Sequence, residues 1–155
     1  MVMKRFSRRF IILLSMFAAF FIITLVFITV GADRREERVL FFPDEDGQQL
    51  NGELRRLPVR DEAAGNIELY INELILGPVS IDLYRLLPQG VKLESLLVDE
   101  NTLYLGFSEN LITIAENVPM SFDDIIGSVE HAVVFNFPEI KEVKTAIGGE
   151  PAANR

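Results

Sequence analysis

The chain has 155 residues, with 15 Lys plus Arg against 23 Asp plus Glu, one His, no Trp and no Cys, and 49% of it is hydrophobic. That is room for one domain of ordinary size, and zero Cys excludes disulfides, thiolate zinc sites, iron–sulfur clusters, a Cys nucleophile and a lipidated N-terminal Cys. Residues 1–30 carry four basic groups and no acid, whereas residues 31–155 carry 11 basic and 23 acidic groups, a net charge of −12, so nucleic acid is not expected as a partner, because phosphate binding needs clustered Lys and Arg.

The first nine residues form a basic tail with Lys4, Arg5, Arg8 and Arg9. Phe10 to Val30 then reads FIILLSMFAAFFIITLVFITV, without a charge and with only Ser15, Thr24 and Thr29 as polar interruptions. A helix of that length spans about 30 Å, the thickness of a hydrocarbon core, which predicts a transmembrane helix over 10–30. The unopposed basic cluster precedes it, while Arg34, Arg35 and Arg38 beyond it are interleaved with Asp33, Glu36 and Glu37. The positive-inside rule then places the N-terminus in the cytoplasm and the acidic remainder outside the cytoplasmic membrane. The alternative is a cleaved signal peptide with its cut near Ala32, after which the domain would be secreted; the apolar run is longer than the usual core of such signals.

Residues 31–38 read as a charged spacer, 39–149 as one folded domain and 150–155 as a frayed tail. Val39 to Phe42 is β-rich and stops at Pro43, and Asp44-Glu45-Asp46-Gly47 is a turn cluster leading into a returning strand around Leu50 to Val59. Asp61 is placed to cap a helix whose stripe is Ile67, Tyr70, Ile71, Leu74 and Ile75, ended by Gly77-Pro78. Val91 to Val98 and Leu103 to Phe107 flank Asp99-Glu100-Asn101-Thr102, a tight hairpin signal. Ser121 with Asp124 forms a capping box for a second helix with the stripe Phe122, Ile125, Ile126, Val129, Ala132 and Val133, stopped by Pro138. A last strand, Glu142 to Ile147, ends at Gly148-Gly149. The order β-β-α-β-β-α-β predicts an α+β fold, a two-layer sandwich of about five strands with both helices on one face of the sheet.

Candidate chemistry is sparse. His131 has Gly127 and Phe135 one helical turn away on either side, so no helical neighbour supplies a second ligand or a carboxylate. Asp44, Glu45 and Asp46 have the flavour of a calcium loop, yet EF-hand spacing requires glycine where Gln49 stands and glutamate where Arg55 stands. Asp123 and Asp124 point about 100° apart on a helix and sit where capping favours acid. Ser108 and Ser121 have no matching base pattern, and there is no phosphate loop or nucleophile elbow. Neither enzymatic activity nor a bound cofactor or metal is expected. Arg55, Arg56 and Arg60 are the one basic cluster of the acidic part, an expected contact for an acidic partner or anionic wall polymer, although arginines also guard exposed sheet edges.

Taken together, Leu40-Phe41-Phe42-Pro43-Asp44 with Asp46-Gly47, Leu54-Arg55-Arg56-Leu57-Pro58-Val59 and Glu73-Leu74-Ile75-Leu76-Gly77-Pro78 resemble the GerMN domain family of sporulation and spore germination proteins. The likeness continues through Leu87-Pro88-Gln89-Gly90-Val91-Lys92-Leu93, Leu103 to Leu111, and Phe137 to Val143 with Ile147-Gly148-Gly149. The resemblance implies a small α/β domain, similar to the ring-building domains of secretion and sporulation channels, tethered to a membrane and displayed outside it. It further implies a role in assembling envelope complexes, through an envelope protein partner or self-association, and it carries no catalytic residues. This chain departs in having one copy where the namesake has two, and Asp99-Glu100-Asn101 where a Gly-bearing turn is frequent. The competing expectation is a domain that captures a small ligand or cell-wall fragment in a cleft beside the sheet.

Overall fold

The computed structural model describes residues 8–30, 34–113 and 118–152, and the chain divides into two units, residues 1–34 and 35–155. In the first unit α1 runs Arg8–Val30. Two of its hydroxyls bond back along the helix, Ser15 Oγ donating to the Ile12 carbonyl at 2.8 Å and Thr24 Oγ1 to that of Phe20 at 2.9 Å, so these two need no other partner. The described apolar side chains, Phe17 and Phe20 among them, are exposed. Among the described residues no helix is long and apolar enough to cross a membrane. The predicted span 10–30 includes residue 11 and residues 27–30, whose side chains lie outside the description, as do residues 1–7 of the basic tail and residues 31–33, where the alternative cleavage falls.

The second unit opens with a strand where a spacer was expected. β1 (Arg35–Pro43) pairs antiparallel along its whole length with β2 (Leu50–Pro58), Arg35 opposite Pro58 and Pro43 opposite Leu50. Residues 35–38 are strand despite their charge, and the charges are accommodated: Glu37 lies across from Arg56 and the two pair at 3.0 Å, and the Arg38 guanidinium lies 4.4 Å from the centroid of the Phe137 ring and donates to the Asn136 carbonyl. In the turn, the Asp44 carboxylate accepts the Gln48 and Gln49 N–H groups at 3.0 and 3.3 Å. Gly47 is required there twice over, by its φ of 67° and by the Pro119 carbonyl oxygen, which a Cβ would meet at 1.7 Å.

α2 (Ala63–Leu76) buries Ile67, Tyr70, Ile71 and Leu74, while Ile75 is only partly covered. Its N-cap is Glu62, without a side-chain bond, and not Asp61. Asn66 instead ties the approach to the helix, accepting the Arg60 N–H at 2.7 Å and donating to the carbonyls of Arg60 and Glu62. Gly77, at φ 88°, closes the helix through its N–H to the Leu74 carbonyl. β3 (Leu93–Asp99) and β4 (Thr102–Phe107) form the predicted hairpin, with Glu100 taking the left-handed turn position at φ 51°. A single turn, α3 (Asn110–Thr113), follows. α4 (Phe122–Asn136) starts at Ser121, whose Oγ accepts the Asp124 N–H at 3.2 Å, and buries Ile125, Ile126, Val129, Ala132 and Val133 as its spacing requires. β5 (Glu142–Ile147) runs parallel to β4, and Gly148 and Gly149, both at positive φ, turn the chain back into β6 (Glu150–Pro151). The tail predicted to fray from 150 therefore begins as a strand; residues 153–155 lie outside the described residues.

The expected single sheet of about five strands is corrected: the described residues form two sheets with six strands, β1-β2 and β3-β4-β5-β6. The reason is visible at Val39. Its N–H donates to Asn136 Oδ1 at 2.9 Å, and its carbonyl accepts from Asn136 Nδ2 at 2.8 Å and from the Tyr70 hydroxyl at 2.9 Å. A side chain of α4 thus takes the edge groups of β1 that another strand would otherwise pair. Burial pushes the Tyr70 hydroxyl well above its ordinary pKa, so it stays a donor. α2 touches β3 and α4 touches β5, and both helices touch β1. Leu103, Leu105 and Phe107 of β4 share the buried face with Val143, Thr145 and Ile147 of β5. Tyr104 and Lys144 alternate onto the opposite face, which is exposed.

Candidate functional site

The side chains with catalytic or metal-binding potential are dispersed. His131 is exposed on α4, its ring 5.7 Å from that of Phe41 and 6.4 Å from that of Phe135. Asp44 is occupied by the turn it closes, and Asp124 by the cap, its Oδ2 accepting the Ser121 hydroxyl at 2.5 Å. Ser108 Oγ accepts the Lys92 N–H at 3.1 Å. Among the described residues no group of three or more His, Cys, Asp or Glu side chains is arranged to hold a metal ion.

The three arginines expected to act together are separated. Adjacent residues of a strand face opposite sides, so β2 turns Arg55 inward and Arg56 outward. The Arg55 side chain is only 14% exposed. It donates to Glu53 Oε1 at 2.6 and 2.8 Å, to Glu73 Oε2 at 2.8 Å and to the Gly77 carbonyl at 2.7 Å. Burial opposes its charge, but the bonds to Glu53 and Glu73 outweigh that and hold its pKa above the ordinary arginine value. Glu53 in turn accepts the N–H groups of Val79 and Ser80 at 3.0 and 3.1 Å. Burial raises its pKa, yet the bonds from Ser80, Arg55 and Val79 leave it below the ordinary carboxylate value. Arg55 thus ties together β2, α2 and the loop after α2.

Arg56 is 73% exposed and among the described residues keeps only the surface pair with Glu37. Arg60 is exposed at the entry to α2, its stem against Gly65. Leu54 stands beside Arg56 on the outward face of β2, 60% exposed and across from Val39, with Gly52 across from Phe41. Phe41 packs edge to face on the exposed Phe135 at 5.2 Å, extending the apolar surface onto α4. A second apolar display follows α2, where Val79 and Ile81 are 80% and 95% exposed on the loop tied down by Glu53. The signal for these surfaces was present in the sequence only as isolated apolar residues, Leu54 and Ile81, lying outside any helical stripe.

The profile of the Germane family, described as sporulation and spore germination, matches residues 39–153. The chain belongs to the Germane family. Among curated protein sequences none matches it. In fold it is similar to the first GerMN domain of the sporulation protein GerM from Bacillus subtilis, at 21% identity and a TM-score of 0.56, over 75% of this chain and 85% of that one. It is likewise similar to the tandem GerMN domains of the same protein, at 18% identity and a TM-score of 0.55, covering 76% of this chain and 41% of that chain. The chain thus spans about two fifths of the tandem structure.

Proposed function

We propose that this Germane protein is a membrane-anchored, non-catalytic interaction module of the cell envelope, with residues 10–30 crossing the cytoplasmic membrane, the N-terminus inside and the folded domain outside. The anchor is supported by the uncharged run from Phe10 to Val30 and by the self-satisfied hydroxyls of Ser15 and Thr24, since lipid offers hydrogen-bonding groups no partner. The domain binds an envelope protein through the outward face of β2 and the start of α2, with Leu54 as the apolar element and Arg56 and Arg60 as charges that fix orientation. The observation that carries this reading is that adjacent Leu54 and Arg56 are both exposed on a two-stranded hairpin whose other edge is closed by Asn136. An edge strand so placed is a surface for adding a partner, and rim charges steer the encounter.

Crosslinking in native membranes followed by charge reversal tests it. Arg56→Glu with Arg60→Glu leaves folding intact, because exposed substitutions usually move stability by less than about 0.5 kcal/mol, while capture of the partner falls sharply. Undiminished capture removes this surface, and turnover of a cell-wall substrate by the purified domain removes the non-catalytic reading.

A further inference from the structure

β5 has a second accessible edge, distinct from the hairpin. On one side it pairs with β4 throughout, but on the other it meets only β6, two residues long. The Ala152 N–H continues that pairing by one step, reaching the Thr145 carbonyl at 2.8 Å. Since strand residues alternate in the side to which they present their backbone groups, Val143 presents its N–H and carbonyl outward as Thr145 does, and among the described residues no strand lies beyond it. A cavity of about 630 Å³ runs along this edge, lined by Val143, Thr145 and Ala152 and roofed on the helix side by Glu130 and Val134.

Among the described residues, the Thr145 and Glu130 side chains of the lining have no hydrogen-bond partner. Thr145 Oγ1 is buried without a hydrogen bond, an arrangement that folded proteins rarely leave uncompensated. Glu130 has no hydrogen-bond or ion-pair partner among the described residues, and burial pushes its carboxyl above the ordinary value. The cations of the same lining are already engaged: Lys141 donates to the Pro138 carbonyl, and Lys144 pairs with Glu142 at 3.5 Å and lies 5.5 Å from the Tyr104 ring centroid. Among the described residues, Glu130 is thus the charged side chain of this lining left without a hydrogen bond or ion pair.

We infer that this groove accepts an extended segment of a partner protein, bound as an added strand beyond Val143 in line with β6, with a lysine or arginine side chain against Glu130. β6 shows that the edge takes an antiparallel strand, the outward groups of Val143 give main-chain pairing, and Glu130 selects the charge of the occupant. The inference rests on the reading of the domain as a protein-contact module and adds a contact remote from β2.

The probe is the acetylated hexapeptide Thr-Val-Lys-Val-Thr-Val and its counterpart with Glu in place of Lys, titrated into the full-length protein while amide shifts and hydrogen exchange are followed. The lysine peptide should protect the Val143 amide and bind at least about tenfold more tightly than the glutamate peptide, as a charge-assisted bond implies. Glu130→Gln should remove most of that discrimination without unfolding the domain. Absence of binding, or shifts confined to β2, would overturn the groove while leaving partner capture in membranes, and with it the wider reading, intact. A Val143 amide protected in the peptide-free protein and exposed by deleting residues 153–155 would also overturn it, assigning the edge to the chain's own end.

Discussion

Asn136→Ala tests the structural account at its most consequential joint. The side chain is almost wholly buried at the end of α4 and reaches back 97 residues to Val39. Alanine removes both bonds to Val39, but the Val39 carbonyl keeps the Tyr70 hydroxyl at 2.9 Å, so the Val39 N–H is the group left without a partner. One orphaned, partly buried donor costs about 1–3 kcal/mol and the second lost bond about 1 kcal/mol. Alanine's better helix propensity returns roughly 0.5 kcal/mol, leaving a net loss of about 1.5–3.5 kcal/mol. For a domain of this size that lowers Tm by about 10 °C. Urea and thermal unfolding of a fragment beginning at Arg34 measure it. Tyr70→Phe should cost only about 1 kcal/mol, because Asn136 still holds the carbonyl, and the double variant should exceed the sum, since each then exposes what the other had covered. A loss below about 0.5 kcal/mol for Asn136→Ala would refute the claim that this side chain closes the edge of β1.

Arg55→Met should destabilise by about 2–3 kcal/mol by leaving Glu53 and Glu73 without their partner, whereas Arg56→Met should be neutral in the same unfolding assay. The Glu53 carboxyl is held below its ordinary value of 4.5, so its contribution to stability is present above about pH 4.5 and is lost as pH falls through the lower folded value; Glu53→Gln should flatten that acid limb in unfolding measured against pH. Ile126→Ala and Val129→Ala should each cost about 1–4 kcal/mol through lost burial and cavity formation, and His131→Ala much less, as circular dichroism melts would show. Protease added to spheroplasts should digest the domain while the mature protein keeps its N-terminus; a mature chain beginning at Asp33 would instead establish signal cleavage.

What the sequence makes legible is what repeats locally. The α4 stripe and its Ser121 cap, the α2 stripe with Gly77, and the β3-β4 hairpin are each written within about 15 consecutive residues, and each forms where expected. The division into two sheets is not legible, because it depends on Asn136 meeting Val39 and Tyr70 across distant chain, and an asparagine at a helix end looks like a terminator. The strand character of residues 35–38 is hidden for the same reason, its charges being answered by Arg56 and Phe137 far along the sequence. The split of Arg55 from Arg56 could have been read from strand alternation alone, yet their shared charge suggests one patch. Neither the tie through Glu73 and Gly77 nor the groove beside β5 leaves a local motif.

The central claim, that the domain works by contact through its hairpin, is tested most directly by photo-crosslinking in intact membranes from single positions. A photoreactive residue in place of Leu54 or Arg56 should form a defined adduct with one envelope protein, and the same residue in place of the inward Arg55 should not. Equal labelling from all three positions, or no adduct at 54 and 56 while a substitution on the Val79–Ile81 loop captures the partner, would contradict it.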